Sequence, residues 1–96
     1  MRDIKDIRSE LYNQLIEEMP VLRARLGITQ ETLAMKAGCS RQTVNSIENR
    51  KKEMTWQLFM AVIAVFNRDE TTRKMLNDIP GFDEKLNKVL NEEIYR

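Results

Sequence analysis

Residues 41–52 combine side chains that recognise hydrogen-bonding surfaces with side chains that attract anions. The segment reads RQTVNSIENRKK. Gln and Asn both donate and accept hydrogen bonds, and Arg and Lys carry positive charge. In the major groove of DNA, Gln or Asn can bond adenine through two hydrogen bonds, Arg can bond guanine in the same way, and Ser or Thr can contact a thymine edge. The chemistry predicted here is non-covalent recognition of a polyanion.

Helical periodicity divides this segment into two faces. At about 100° per residue, Val44 and Ile47 set the buried direction. The opposite face then carries polar side chains, namely Gln42, Asn45, Ser46 and Asn49. Arg41 lies at the N-terminal end, where free backbone N–H groups suit a phosphate. The following basic run, 50–52, suits contacts to a sugar-phosphate backbone. The alternative is a solvated helix with a basic tail.

The elements that position these residues are two short helices joined by a tight turn. Thr29 and Ser40 each stand where an N-cap belongs, ahead of helices predicted over 30–37 and 41–49. Gly38 supplies the left-handed residue that ends the first helix. Two such helices with a glycine in the turn form the helix-turn-helix pattern.

The rest of the chain also follows a helical pattern, so we expect an all-α bundle of five or more short helices. The first helix, with Ile4, Ile7, Leu11 and Leu15 on one face, is expected to end before Pro20. Further helices are expected over 20–26, over 56–66 behind Thr55, over 70–78, and from a start behind Asp83.

Helix 56–66 is apolar nearly all round, which an ordinary surface helix is not. Three segments could cover its second side: the N-terminal helix, a second copy of the chain, or the C-terminal segment with Met75, Leu76, Phe82, Leu86, Val89, Leu90 and Ile94. Its aromatic residues are therefore expected in a core or interface; they are Trp56, Phe59 and Phe66.

Composition restricts the class of protein. The 96 residues fit one small domain, contain no His, and carry one Cys, which leaves Cys39 without a disulfide partner. No signal peptide or run of about 20 apolar residues is seen, so we expect a soluble cytoplasmic protein without membrane contact. No nucleophile with its base, phosphate loop or metal-ligand cluster is present, so we expect no enzyme, metal site or cofactor.

The charge is unevenly distributed along the chain. Residues 20–66 hold seven basic against three acidic side chains, whereas residues 1–19 hold three against five. A basic centre between slightly acidic ends is expected when one face meets a polyanion.

The stretch LRARLGITQETLAMKAGCSRQTVNSIEN resembles the Cro-type phage repressor family of helix-turn-helix proteins, also called the xenobiotic response element family. The matching positions are Leu22-Arg23, Gly27, Thr29-Gln30, Leu33-Ala34, Gly38, Ser40, Gln42-Thr43, Ile47 and Glu48. The resemblance implies a lambda-repressor-like DNA-binding domain over 20–66, with its motif near 30–49. Residues 1–19 and 67–96 would be helical extensions, the second a possible dimerisation surface.

The resemblance also implies roles for individual residues. Gln30 would contact phosphate and brace Arg41, and Arg23 and Glu48 would form a buried ion pair between helices. The residues expected to contact DNA are Gln30, Ser40, Arg41, Gln42, Thr43, Asn45, Ser46, Asn49, Arg50, Lys51 and Lys52. Where the family usually has Gly, this chain has Arg50. Either the turn differs locally, or an extra phosphate contact compensates for a strained backbone.

These observations favour a sequence-specific transcriptional regulator of double-stranded DNA, acting as a homodimeric repressor on an inverted repeat and residing on the nucleoid when bound. Two alternatives stay open. One is an antitoxin that also binds a toxin protein and represses its own operon. The other is an adaptor that binds proteins only, which would have little need for this polar helix face and basic run.

Overall fold

Six helices follow one another along the part of the chain that the structure describes. The computed structural model describes residues 3–94, with side chains through residue 91. The helices are α1 (Ile4–Leu26), α2 (Gln30–Ala37), α3 (Arg41–Glu48), α4 (Trp56–Asn67), α5 (Glu70–Asn77) and α6 (Phe82–Ile94). The prediction of an all-α bundle is confirmed, since the described residues form no strand. None of these helices is both long and apolar enough to cross a membrane.

The long helix α1 corrects one expectation. A helix end was expected before Pro20, but α1 runs unbroken from Ile4 to Leu26 with Pro20 inside it. Proline in a helix interior costs about 3 kcal/mol because it lacks an N–H and crowds the preceding turn. Here the buried residues Leu15, Met19 and Leu22 continue one apolar stripe across that position, while Pro20 itself is exposed. Tertiary packing of the stripe therefore outweighs the local preference.

Side-chain caps fix the starts of the short helices. The Thr29 hydroxyl accepts from the Thr32 backbone N–H at 3.1 Å and starts α2. Gly38 ends α2 with a φ of 81°, which an L side chain adopts only with strain. The Thr55 hydroxyl accepts from the Leu58 N–H at 3.2 Å and starts α4. The turn chemistry predicted for this region is present, and α6 begins at Phe82, before Asp83 and not behind it as expected.

Helix α4 lies at the centre of the core and contacts α1, α2 and α5. Phe59 and Phe66 are fully buried, and the rings of Phe59 and Phe82 lie 6.0 Å apart. Trp56 is half-buried and stacks on Phe59 with ring centroids 5.2 Å apart. The N-terminal helix and the C-terminal segment thus cover much of α4 within one chain, as two of the three expected alternatives proposed. The side chain of Ile94, counted in that segment, lies outside the described residues.

The two terminal segments pack on each other, α6 lying against α1. Gln14 on α1 donates to the Pro80 carbonyl at 2.9 Å and accepts from the Lys85 ammonium at 3.1 Å. Lys85 also lies 3.4 Å from a carboxylate oxygen of Glu10. These bonds fasten the start of α6 to the middle of α1. The expected boundary between residues 19 and 20 falls inside α1.

Candidate nucleic-acid interface

Helix α3 presents one buried face and one polar face. Val44 and Ile47 are each 1% exposed and hold the helix against the core. The residues that face outward are Arg41, Gln42, Asn45 and Asn49, which are exposed, and Ser46, which is half-buried. A short helix held by two apolar anchors can therefore offer its whole polar row to a ligand.

The N-terminal end of α3 is built by Ser40 and Thr43. The Ser40 hydroxyl accepts from the Thr43 backbone N–H at 3.1 Å, and the two hydroxyl oxygens lie 3.0 Å apart. Both hydroxyl groups are therefore engaged in starting the helix. The backbone N–H groups of this first turn point along the helix axis and favour an anion at that end. Arg41 is exposed beside them.

The amide side chains of α3 differ in their availability. The Asn49 Nδ2 group donates to the Asn45 Oδ1 atom at 3.1 Å. This bond occupies one of the two lone pairs of the Asn45 amide oxygen and directs that side chain toward Asn49. The side-chain amide of Gln42 makes no hydrogen bond within the described chain and is exposed. Gln42 is consequently the amide that is ready for a bond to a base edge.

The turn after α3 carries the basic run and an unusual backbone. Arg50 adopts a φ of 60°, the one non-glycine residue with positive φ among those described. A left-handed conformation costs an L residue roughly 1–2 kcal/mol. The backbone N–H groups of Lys51 and Lys52 donate to the Ser46 carbonyl at 2.7 and 3.3 Å, which closes the turn. All three basic side chains are exposed.

A carboxylate network locks α3 onto α1. Glu48 accepts from Arg23 through two bonds, Nε to Oε2 at 2.8 Å and Nη2 to Oε1 at 2.9 Å. The two side chains are 18% and 6% exposed. Gln30 adds a third bond, from Nε2 to the Glu48 Oε1 atom at 3.1 Å. A two-bond arginine–carboxylate pair fixes distance and angle together, so the network sets how far α3 projects from the bundle.

The sequence profile of a helix-turn-helix family matches residues 22–71, more than half of the chain. The chain belongs to the Cro-type helix-turn-helix family. This is a family of DNA-binding domains rather than of enzymes, and its members act as regulators on double-stranded DNA. Comparisons with curated proteins and with solved structures give no significant match. The matched segment begins near the end of α1 and finishes in the first turn of α5.

Within this helix-turn-helix protein, α2 and α3 form the motif and α3 is its second helix. Gln30, expected to brace Arg41, directs its amide N–H to Glu48 instead, and no bond joins it to Arg41 in the described chain. Its amide oxygen is left for other partners. The structure thus brings Gln30 to the ion pair, and places Arg41 at the start of the polar face.

Cys39, in the turn of the motif, is half-buried. Burial raises the pKa of its thiol, an effect that the nearby charge of Lys52 partly offsets. A raised pKa keeps the thiol protonated and unreactive near neutral pH.

Sequence reasoning missed one residue at this interface. Asn13, in the middle of α1, accepts from the Arg50 Nη1 group through its Oδ1 atom at 2.9 Å. The two residues are far apart in sequence, and an exposed Asn on a helix carries no signal of its own. The sequence offered one signal, which was Arg50 at a position that favours glycine. A strained backbone there would have suggested a stabilising side-chain contact, but not which residue makes it.

Proposed function

We propose that this helix-turn-helix protein is a sequence-specific transcriptional repressor that reads DNA through α3. The observation that carries the proposal is the exposed polar face of α3 above two buried anchors, followed directly by an exposed basic turn. Such a helix matches the hydrogen-bonding pattern of the major groove, and the turn matches the flanking phosphates. Since its partner is DNA, the protein would act in the cytoplasm, on the nucleoid.

The residues of α3 divide into two roles under this proposal. Gln42 and Arg41 contact base edges, assisted by Asn45, Ser46 and the Ser40–Thr43 end of the helix. Asn49 and the run 50–52 contact the sugar-phosphate backbone, and Gln30 contributes from the start of α2. Gln42 is the first residue to test because its amide has no intramolecular bond to give up.

A homodimer is the second part of the proposal. One module of this size buries about 600–1,000 Å² on DNA and reaches only a few base pairs. Two copies on an inverted repeat, with half-sites about 34 Å apart, would provide useful specificity. Under this proposal the contact between copies lies on the C-terminal helices; the half-buried Leu90 of α6 supports this location. Leu90→Lys should then abolish a dimer seen by sedimentation while α-helical content is retained.

Selection of bound duplexes from a random DNA pool tests whether α3 recognises a DNA sequence. Wild type is compared with Gln42→Ala, and with Asn77→Ala as a matched control that loses an exposed amide on α5. The wild type and the control should enrich the same inverted repeat. Gln42→Ala should bind that repeat about 1–3 kcal/mol more weakly and accept other bases at one position in each half-site.

The selected sequences also separate the parts of the proposal. A single half-site without a repeat would retain DNA reading and contradict the dimer. Binding that depends on salt but shows no sequence preference would contradict specific reading by α3. An unchanged preference in Gln42→Ala would show that another residue reads the base assigned to it.

A further inference from the structure

The basic turn after α3 is attached to a helix outside the matched family segment. Asn13 lies in α1, before residue 22 where the family match begins. Its Oδ1 atom accepts from Arg50 Nη1 at 2.9 Å. Both residues are exposed, so this bond lies on the surface and not in the core. A bond between two exposed side chains contributes nothing to the packing of the core.

The bond acts on the one strained residue of the turn. Arg50 has a φ of 60°, a conformation that glycine adopts without strain but that is strained for an L residue. The neighbouring residues Lys51 and Lys52 take their positions from this turn through bonds to the Ser46 carbonyl. A contact that fixes the Arg50 side chain therefore also limits the directions in which the next two basic residues can project.

The guanidinium of Arg50 retains donors after this contact. Arginine has five N–H groups in a planar fork, and the bond to Asn13 uses one of them. Asn13, Arg50, Lys51 and Lys52 line one open surface groove between α1 and the turn. A guanidinium held at one corner of this groove has less side-chain freedom to lose when it bonds a phosphate oxygen.

We infer that Asn13 is a positioning residue for DNA binding, which holds Arg50 and the basic turn ready for the sugar-phosphate backbone. The inference rests on the proposed function and adds α1 to the interface. Asn13 itself does not need to touch DNA. Glycine would adopt the backbone conformation of position 50 without strain. Here the side-chain bond from Asn13 offsets the strain at Arg50.

The test uses the full chain with a set of variants at a temperature where all are folded. These are Asn13→Ala, Arg50→Gly, the double variant, and Ser9→Ala as a matched control on the same groove, one turn earlier in α1. Affinity is measured at several salt concentrations for the duplex that wild type selects and for a mixed-sequence duplex of equal length. Amide hydrogen exchange at Lys51 and Lys52 is measured in the free protein.

Asn13→Ala should weaken binding to both duplexes by a similar factor, about fivefold, and leave the preference between them unchanged. It should also reduce the salt dependence although no charge is removed, a change that a merely structural role would not produce. Ser9→Ala should match wild type. In the Arg50→Gly background, Asn13→Ala should have no further effect because there is no guanidinium to hold.

Three results would overturn the inference. The first is wild-type affinity and salt dependence in Asn13→Ala, and the second is a full additional loss in the double variant. The third is a lack of binding of wild type to either duplex, a result that would contradict the proposed function as well. Faster exchange of Lys51 and Lys52 in Asn13→Ala alone would then show that the contact orders the turn without a role on DNA.

Discussion

Glu48→Ala tests whether the network between α1 and α3 holds the motif together. The substitution removes the acceptor of two bonds from Arg23, at 2.8 and 2.9 Å, and of one bond from Gln30. The Arg23 side chain is only 18% exposed, so its charge would be left with little water. The Ile28 carbonyl, at 3.5 Å from Nη1, is a weak substitute. Removing one partner of such a pair costs about 3–5 kcal/mol, and partial exposure favours the lower end, about 3 kcal/mol.

Urea unfolding measures this loss directly. Trp56 is the only tryptophan and stacks on the buried Phe59, so its fluorescence should report loss of the core. With an m value of about 1–3 kcal/mol per M, the midpoint should fall by about 1–3 M. A small domain has about 5–15 kcal/mol of stability in total, so the effect is large.

An exposed ion pair provides the control. Lys74 and Asp78 lie 3.2 Å apart on the surface, with side chains 77% and 67% exposed. Lys74→Ala should change stability by less than about 0.5 kcal/mol. The reasoning is refuted if Glu48→Ala costs no more than this control. Replacing both members of the ion pair, Arg23→Met with Glu48→Leu, should restore most of the loss because no uncompensated charge remains.

Three further predictions concern the interface, the core and α1. Lys51→Ala should weaken binding to all duplexes alike and lower the salt slope by about one unit, as measured by anisotropy titrations. Burial raises the pKa of the Tyr12 phenol, partly offset by Arg8. The unfolded chain therefore ionises first, and wild type should lose stability as pH rises above about 10, whereas Tyr12→Phe should lose less. Pro20→Ala should raise the free energy of unfolding by about 2 kcal/mol, without changing DNA affinity, because α1 is already continuous.

The local parts of the motif could be predicted because their causes are local. A Thr or Ser cap satisfies N–H groups within three residues of itself, and Gly38 ends α2 through its own φ. Val44 and Ile47 fix the buried side of α3 by spacing alone. These features require no knowledge of what packs above the helix, so a short stretch of sequence is sufficient.

The errors and omissions have a common physical origin in long-range contacts. The rule that ends a helix before proline is local, and it fails at Pro20 because burial of Met19 and Leu22 continues the helix. The bond from Arg50 to Asn13 joins two exposed polar residues of ordinary type. No periodicity marks such a pair, so only the three-dimensional structure reveals it.

The unbroken helix α1 links the ion pair of Arg23 with Glu48 to the bond between Asn13 and Arg50. Arg23 near the end of α1 holds Glu48, the last residue of α3, and Asn13 in its middle holds Arg50 just beyond. The two anchor points are about 15 Å apart along one helix, at 1.5 Å per residue. A break at Pro20 would allow them to move relative to each other. Because α1 is a single rod, the C-terminal end of α3 and the basic turn are both attached to the same rigid element. Under the proposed function, the residues that we propose read bases would therefore keep a fixed distance from those that we propose contact phosphate.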